Sequence, residues 1–227
     1  ADCPNSTKEA AVAYKTNVTS ARADCVYPWV KVSRNNQIIE EPASARIAGV
    51  IARSDNDRGF WWSPSNLEIK GIVGLAKPID FTLGDTACVA NYLNEHNIAT
   101  IIQQDGFRLW GNRTASAEEK WCFLSVRRTA DMINDSLLRA HLWAVDRNIT
   151  KTYCDDVSES VNNYLRYLKN IGAVLGGECW ADKSLNSPAD IQQGKVAFDF
   201  IFTPPYPAEH VTFRSRLVSD YLEEIFE

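Results

Sequence analysis

Short apolar runs alternate along this chain with stretches whose apolar residues recur every three or four positions. IKGIVGL at 69–75, IATIIQ at 98–103 and WCFLSV at 121–126 are apolar on both faces, the pattern of strands covered from two sides. ACVANYLNEH at 87–96 falls at helical spacing, as do the sets Met132, Ile133, Leu137, Ala140, Ala144 and Val157, Val161, Tyr164, Leu165, Leu168, Ile171. Strands alternating with helices define an α/β class, a mixed sheet flanked by helices. The polar segment TASAEEK at 114–120 divides the chain into two packed subdomains, 1–117 and 118–227, and no internal repeat is visible.

Local signals set the expected ends of the elements. Ser6-x-x-Glu9 is a capping box that opens a helix over 7–22, and VYPWVKVS at 26–33 reads as a strand in which Pro28 marks an edge or a strand start. Asn35-Asn36 turns the chain, Pro42 and Ser44 open a short helix through SARIAGVIARSD, and Asp105-Gly106 is a second turn. Thr129 is expected to cap the long helix after WCFLSV, and Gly172 to end the next. AVLGGECWAD and KVAFDFIFTPPYPAEHVTFRSRLV are expected to be extended. In the latter, Val196, Phe198, Phe200 and Phe202 alternate, Val211 and Phe213 do so less cleanly, and Pro204-Pro205-Tyr206-Pro207 forms a rigid link that cannot continue a ladder.

Composition narrows the functional classes. With 24 Lys and Arg against 29 Asp and Glu, the net charge of -5 offers no general basic field for phosphates or anionic lipid, so no direct nucleic-acid binding is expected. No apolar run approaches the roughly 18 residues of a membrane span, so no membrane insertion is expected. Six cysteines without a CxxC pair disfavour a zinc knuckle, a redox dithiol or a disulfide scaffold, and point to reduced thiols and a cytoplasmic origin. The tripeptides at Asn5, Asn17, Asn112 and Asn148 carry no acceptor meaning without a targeting segment.

Catalytic signals are sparse. His96, His141 and His210 are isolated from one another, and no HExxH, GxSxG, P-loop or SxxK string occurs. GAVLGGE at 172–178 places glycines after a helix, the reverse of a dinucleotide fingerprint, and the pairs Glu118-Glu119, Asp155-Asp156 and Glu223-Glu224 fit helix starts and solvated surface. No metal or cofactor is expected. Arg127-Arg128, next to a helix start, points either across an interface or to a local ion pair. Phe60, Trp61 and Trp62 in GFWWSPSN are expected to cover the core where the short helix turns toward the next strand, or to offer one exposed ring to a subunit contact. At the far end, SDYLEEIFE at 219–227 sets Tyr221, Leu222, Ile225 and Phe226 among charges, an apolar set for which its own domain has no room.

Six stretches together, GFWWSPSN, EIKGIVGL, DGFRLWGNRT, VRRTADMI, HLWAVDRN and TPPYPAEHVTFR, resemble the tail sheath proteins of contractile-tailed phages, in the same order and from about residue 27 to the end. The resemblance implies a C-terminal fragment of a structural subunit: 1–117 as the C-terminal part of the central sheath domain, and 118–227 as the sheath C-terminal domain. It implies stacked six-membered rings around a tail tube that contract to drive the tube through a host envelope, without catalysis. Implied partners are other sheath copies, the tail tube protein, and baseplate and tail terminator proteins. The implied setting is the virion tail, assembled in the host cytoplasm. Terminal arms in this family add strands to neighbouring subunits, which makes 219–227 the candidate arm. The alternative reading is an α/β hydrolase or carbohydrate-active enzyme with an unrecognised site around the tryptophans and Asp105.

Overall fold

The computed structural model describes residues 1–219. The α/β class is borne out, with the β structure divided among three small sheets. The first contains β1 (Cys25–Val26), β5 (Ile98–Gln103) and β6 (Phe107–Trp110) in the order β1-β5-β6. It is mixed, because β1 runs parallel to β5 while β6 returns antiparallel through the turn at Asp105-Gly106, where both residues have positive φ. The second sheet, ordered β3-β2-β4, is built from β2 (Val30–Arg34), β3 (Gln37–Glu41) and β4 (Gly74–Leu75). Asn35 and Asn36, at φ 50° and 60°, form the two-residue turn of the β2–β3 hairpin, a backbone that asparagine tolerates better than most residues.

One expected strand therefore serves two sheets. Pro28 supplies no N–H and interrupts the run at 26–33: Val26 pairs with Ala99 of β5, and Val30 pairs with Glu41 and Leu75. The surroundings of strand β5 explain its largely apolar sequence. Ile98 packs with Ala11 of α1 (Lys8–Thr16) and Leu93 of α3 (Val89–Glu95), while Ala99 and Ile101 face Ile47 and Val50 of α2 (Ser44–Arg58). Both faces are covered, as a continuous apolar run requires.

The C-terminal unit stacks α4 (Leu124–Ala140) and α5 (Lys151–Asn170) against an antiparallel ribbon of β7 (Gly176–Ala181) and β8 (Phe198–Thr203), with α6 (Pro188–Gln192) between the strands. Thr150 caps α5 by accepting from the Tyr153 N–H at 3.1 Å. Val161 and Leu165 then meet Cys179, Phe198, Phe200 and Phe202, as the helical and alternating patterns predicted.

Several expected boundaries are corrected. Helix α1 stops at Thr16 instead of 22, and its cap is Thr7, whose hydroxyl accepts from the Ala10 N–H. Of 69–75 only Gly74–Leu75 is strand, although Ile69 is buried and its N–H donates to the Phe107 carbonyl at 2.7 Å. WCFLSV is no strand: Glu119–Trp121 is a 3-10 turn and Leu124 begins α4. A short run apolar on all sides suits a buried helix start equally well, and Leu124, Ser125, Val126, Thr129, Ala130 and Ile133 are all buried. Thr129 is accordingly no cap; its hydroxyl donates to the Ser125 carbonyl one turn back. Residues 204–219 lie in no strand.

The aromatic run joins the two units. Phe60 and Trp61 meet edge to face, with ring centroids 5.0 Å apart, and pack against Ile133 of α4, Leu168 of α5, Ala173 and Val174. Gly59 is what permits this. At φ 108° it ends α2, and a Cβ there would lie 2.4 Å from the Trp61 ring. Truncating Trp61 to alanine should therefore lower unfolding stability by about 2–4 kcal/mol, whereas Trp62→Ala, at a half-exposed ring, should cost about 0.5 kcal/mol or less. Urea denaturation of the two variants checks both values.

Candidate self-assembly surface

Ion pairs reinforce the joint between the units. Arg22, following α1, makes a two-pronged contact with Asp131 of α4, Nε to Oδ2 at 2.9 Å and Nη2 to Oδ1 at 2.7 Å. Arg127 joins the same carboxylate from one turn away and lies over the Trp121 ring at 4.5 Å. Arg128 holds Asp55 of α2 through both terminal guanidinium nitrogens. Both arginines thus serve this internal joint, Arg128 across it and Arg127 within α4. Hydrogen bonds from Arg22, followed by Arg127, pull the Asp131 carboxyl down from 3.8 to about 2. A depressed folded-state value stabilises above the unfolded value and loses that contribution as pH falls toward 2. Asp131→Asn should therefore be less stable than the parent above about pH 4 and converge with it toward pH 2, as measured by urea unfolding across that range.

No convergent reactive cluster accompanies this joint. His96 and His141 end α3 and α4, each with Nδ1 2.8 Å from a carbonyl four residues back, of Tyr92 and Leu137 respectively. His210 is exposed. Asp105 occupies the hairpin turn, Trp61 is packed in the core, and Trp62 lies beside Arg58. A depression of about 330 Å³ collects Arg113, Glu118, Glu119 and Cys122, and another of about 420 Å³ collects Trp143, Arg147, Tyr153 and Asp156; neither contains a histidine. The enzymatic alternative gains nothing from this geometry. Among the described residues there is no grouping of three metal-ligating side chains. Asn112, within one glycosylation-like tripeptide, is buried and donates to Ser125 Oγ at 3.0 Å.

The β7–β8 ribbon is the distinctive surface. Two strands give it two outer edges, and in an antiparallel pair alternate residues aim both backbone groups outward. On β7, the Cys179 N–H donates to Asn162 Oδ1 at 2.7 Å and its carbonyl accepts from Asn162 Nδ2 at 3.0 Å, so Cys179 faces away from β8. The register then turns Phe200, paired with Cys179, outward on β8, together with Phe198 and Phe202. These three residues have no backbone partner on that side among the described residues. Asn162 carries no signal in the helical pattern; only the fold brings it to the strand.

Beyond β8 the chain leaves the body. Pro204 is buried, Tyr206 meets Phe123 edge to face at 6.0 Å, and Glu209 accepts from Arg113 Nε at 2.8 Å. From His210 onward every described residue is exposed, Phe213 at 92%. The expected arm residues Tyr221, Leu222, Ile225 and Phe226 lie outside the described residues.

The described residues thus form an α/β body with one uncovered ribbon edge and an exposed tail, and an uncovered edge is open to added strands. Comparison with known proteins supplies the family. The profile described as phage tail sheath protein central domain matches residues 1–115, and that described as phage tail sheath C-terminal domain matches 116–217. A prophage major tail sheath protein of Pseudomonas aeruginosa is 50% identical over all of this chain and 59% of its own length. Among solved structures, the anti-feeding prophage helical sheath in its contracted state superposes with a TM-score of 0.79 at 26% identity, over 95% of this chain and 60% of that one. A chain of the sixfold-symmetrised anti-feeding prophage baseplate gives 0.79 at 25% identity, over 96% and 59%. The chain belongs to the phage tail sheath family. It spans about three-fifths of the length of these relatives.

Proposed function

We propose that this chain is the C-terminal part of a structural subunit of a contractile tail sheath. Residues 1–117 form the end of the central domain and 118–227 the C-terminal domain. The observation that carries this reading is the succession of the two sheath profiles along the chain, joined to the fold it shares with a contracted helical sheath. Copies stack as six-membered rings around the tail tube protein, bounded by baseplate and terminator proteins. The sixfold-symmetrised baseplate neighbour supports the ring number and the baseplate contact. The assembly is built in the host cytoplasm and works in the virion tail.

Its work is mechanical, without bond-making chemistry or a cofactor. Contraction needs two packings of the same bodies, with the extended one metastable, and the free energy released comes from contacts between copies. The internal joint of Phe60, Trp61, Arg22, Asp131, Arg128 and Asp55 suits this, because a body that yielded internally would absorb the motion. Residues 219–227, with Tyr221, Leu222, Ile225 and Phe226, serve as the arm that tethers one ring to the next.

Electron microscopy of the full-length protein tests the reading. It should form striated sleeves, whereas stable monomers at high concentration would contradict it. Deleting 219–227 should leave the thermal unfolding midpoint unchanged but prevent ring stacking; sleeves that still form and contract would show the arm to be misassigned.

A further inference from the structure

We infer that Cys3 and Cys25 form a redox-sensitive pair: hydrogen peroxide closes them into a disulfide that staples the segment before α1 to β1, with Cys25 as the attacking sulfur and Cys3 as the resolving one. This goes beyond the sheath reading and does not rest on it.

The backbone sets the two side chains on one face. Asp2 lies level with Val26 in a parallel bridge, where the Val26 N–H donates to the Ala1 carbonyl and the Cys3 N–H to the Val26 carbonyl, both at 2.9 Å. Side chains alternate along extended chains, so Asp2 and Val26 share one face, and Cys3 and Cys25, each one residue away, share the other. The surroundings agree. Val26 packs with Ile47 and Val50 of α2, and the Asp2 carboxylate accepts from the N–H and the hydroxyl of Ser44 at the start of α2. Cys3 and Cys25 instead lie together in the cluster that contains Ala11 of α1, Leu93 of α3 and Ile98 of β5. Their thiols interact side chain to side chain. Among the described residues, Cys88 and Cys179 each sit in a cluster with no second cysteine.

The environment divides the roles. Contact with the Cys3 thiol outweighs burial and draws the Cys25 thiol down to about 7, whereas contact with Cys25, together with burial, pushes Cys3 up. Cys25 therefore supplies a thiolate near neutral pH, and the thiolate is the form that attacks an oxidant. It attacks one oxygen of peroxide; the O–O bond breaks, Cys25 becomes a sulfenic acid, and the departing hydroxide takes up the proton that Cys25 had released. The Cys3 sulfur then displaces the hydroxyl group from Cys25, and that group leaves as water with the Cys3 proton. The two thiols lose two electrons in all, and peroxide gains them as it becomes two waters. Oxidant size matters, because Cys3 is 1% and Cys25 0% exposed. Peroxide is small enough to enter through a local opening of the segment before α1. The closed bond encloses α1 in a covalent loop and keeps Asp2 on the start of α2.

Peroxide treatment of the folded full-length protein, followed by alkylation in denaturant and peptide mass mapping, tests the inference. The map should show two thiols lost and one peptide pair linked through Cys3 and Cys25, both reversed by dithiothreitol. The oxidised protein should unfold about 5 °C higher than the reduced one, a gain that reduction removes. In Cys3→Ser the link should vanish and a sulfenic acid at Cys25 should accumulate, trapped by dimedone. In Cys25→Ser the link should also vanish while Cys3 stays a thiol. Neither variant should gain in unfolding midpoint on oxidation. The mapping and the midpoint of the parent do not depend on the variants folding. Peroxide that leaves both residues as thiols, sulfinic acid without a link, a link to another cysteine, or a link formed only in the unfolded protein would overturn the pairing. An unmoved midpoint would overturn the staple, and a sulfenic acid trapped at Cys3 in Cys25→Ser would overturn the assignment of roles.

Discussion

The structure depends on the insertion of Phe60 and Trp61 into the cluster formed by α4, α5 and the turn after α5. Beside it, the first unit and the α4–α5–ribbon unit meet through backbone hydrogen bonds between 112–114 and 122–124 and through ion pairs, and partly exposed ion pairs contribute little by themselves. The half-buried aromatic pair supplies the apolar contact that stands beside the Arg128–Asp55 and Arg22–Asp131 pairs. Gly59 is the conformational requirement for that insertion, since no side chain fits between the end of α2 and the indole. The ribbon packs on α5, whose end, with the Ala173–Val174 turn, meets this joint.

A body with one open strand edge suits the sheath function proposed above. Strand pairing uses main-chain groups that every copy possesses, so it tolerates rotation of neighbouring bodies as long as the connecting segment is flexible. The connection here is graded. The proline-rich stretch and the Arg113–Glu209 and Phe123–Tyr206 contacts fix the direction in which the tail departs, and the exposed residues beyond supply reach. Fixing the root leaves less chain to be ordered if the tail binds elsewhere.

Much of this was legible in the sequence, for identifiable reasons. Strand β5, helices α2, α3 and α5 and the turns at Asn35-Asn36 and Asp105-Gly106 followed from periodicity and turn chemistry, where local preference and tertiary environment agree. WCFLSV failed because a short run apolar on all sides carries no period, and burial beneath the 112–114 segment turned it into a helix start. Pro28 was visible, but its division of one apolar run between two sheets depends on partners far along the chain. The family resemblance came from long, unusual strings. The assembly surface did not: Asn162 at the edge of β7 is one polar residue on a helix until the fold places it, and Tyr221, Leu222, Ile225 and Phe226 are set apart by their terminal position and spacing and read as an arm only through the family resemblance.

The central claim is that copies grip one another by backbone pairing, and amide hydrogen exchange measures that directly. Comparing free subunits with assembled sleeves, the account predicts strong slowing at the Phe198, Phe200 and Phe202 amides on assembly. Unchanged exchange at those three positions, with protection confined to side-chain patches such as Leu138, Leu142 and Val145, would contradict it.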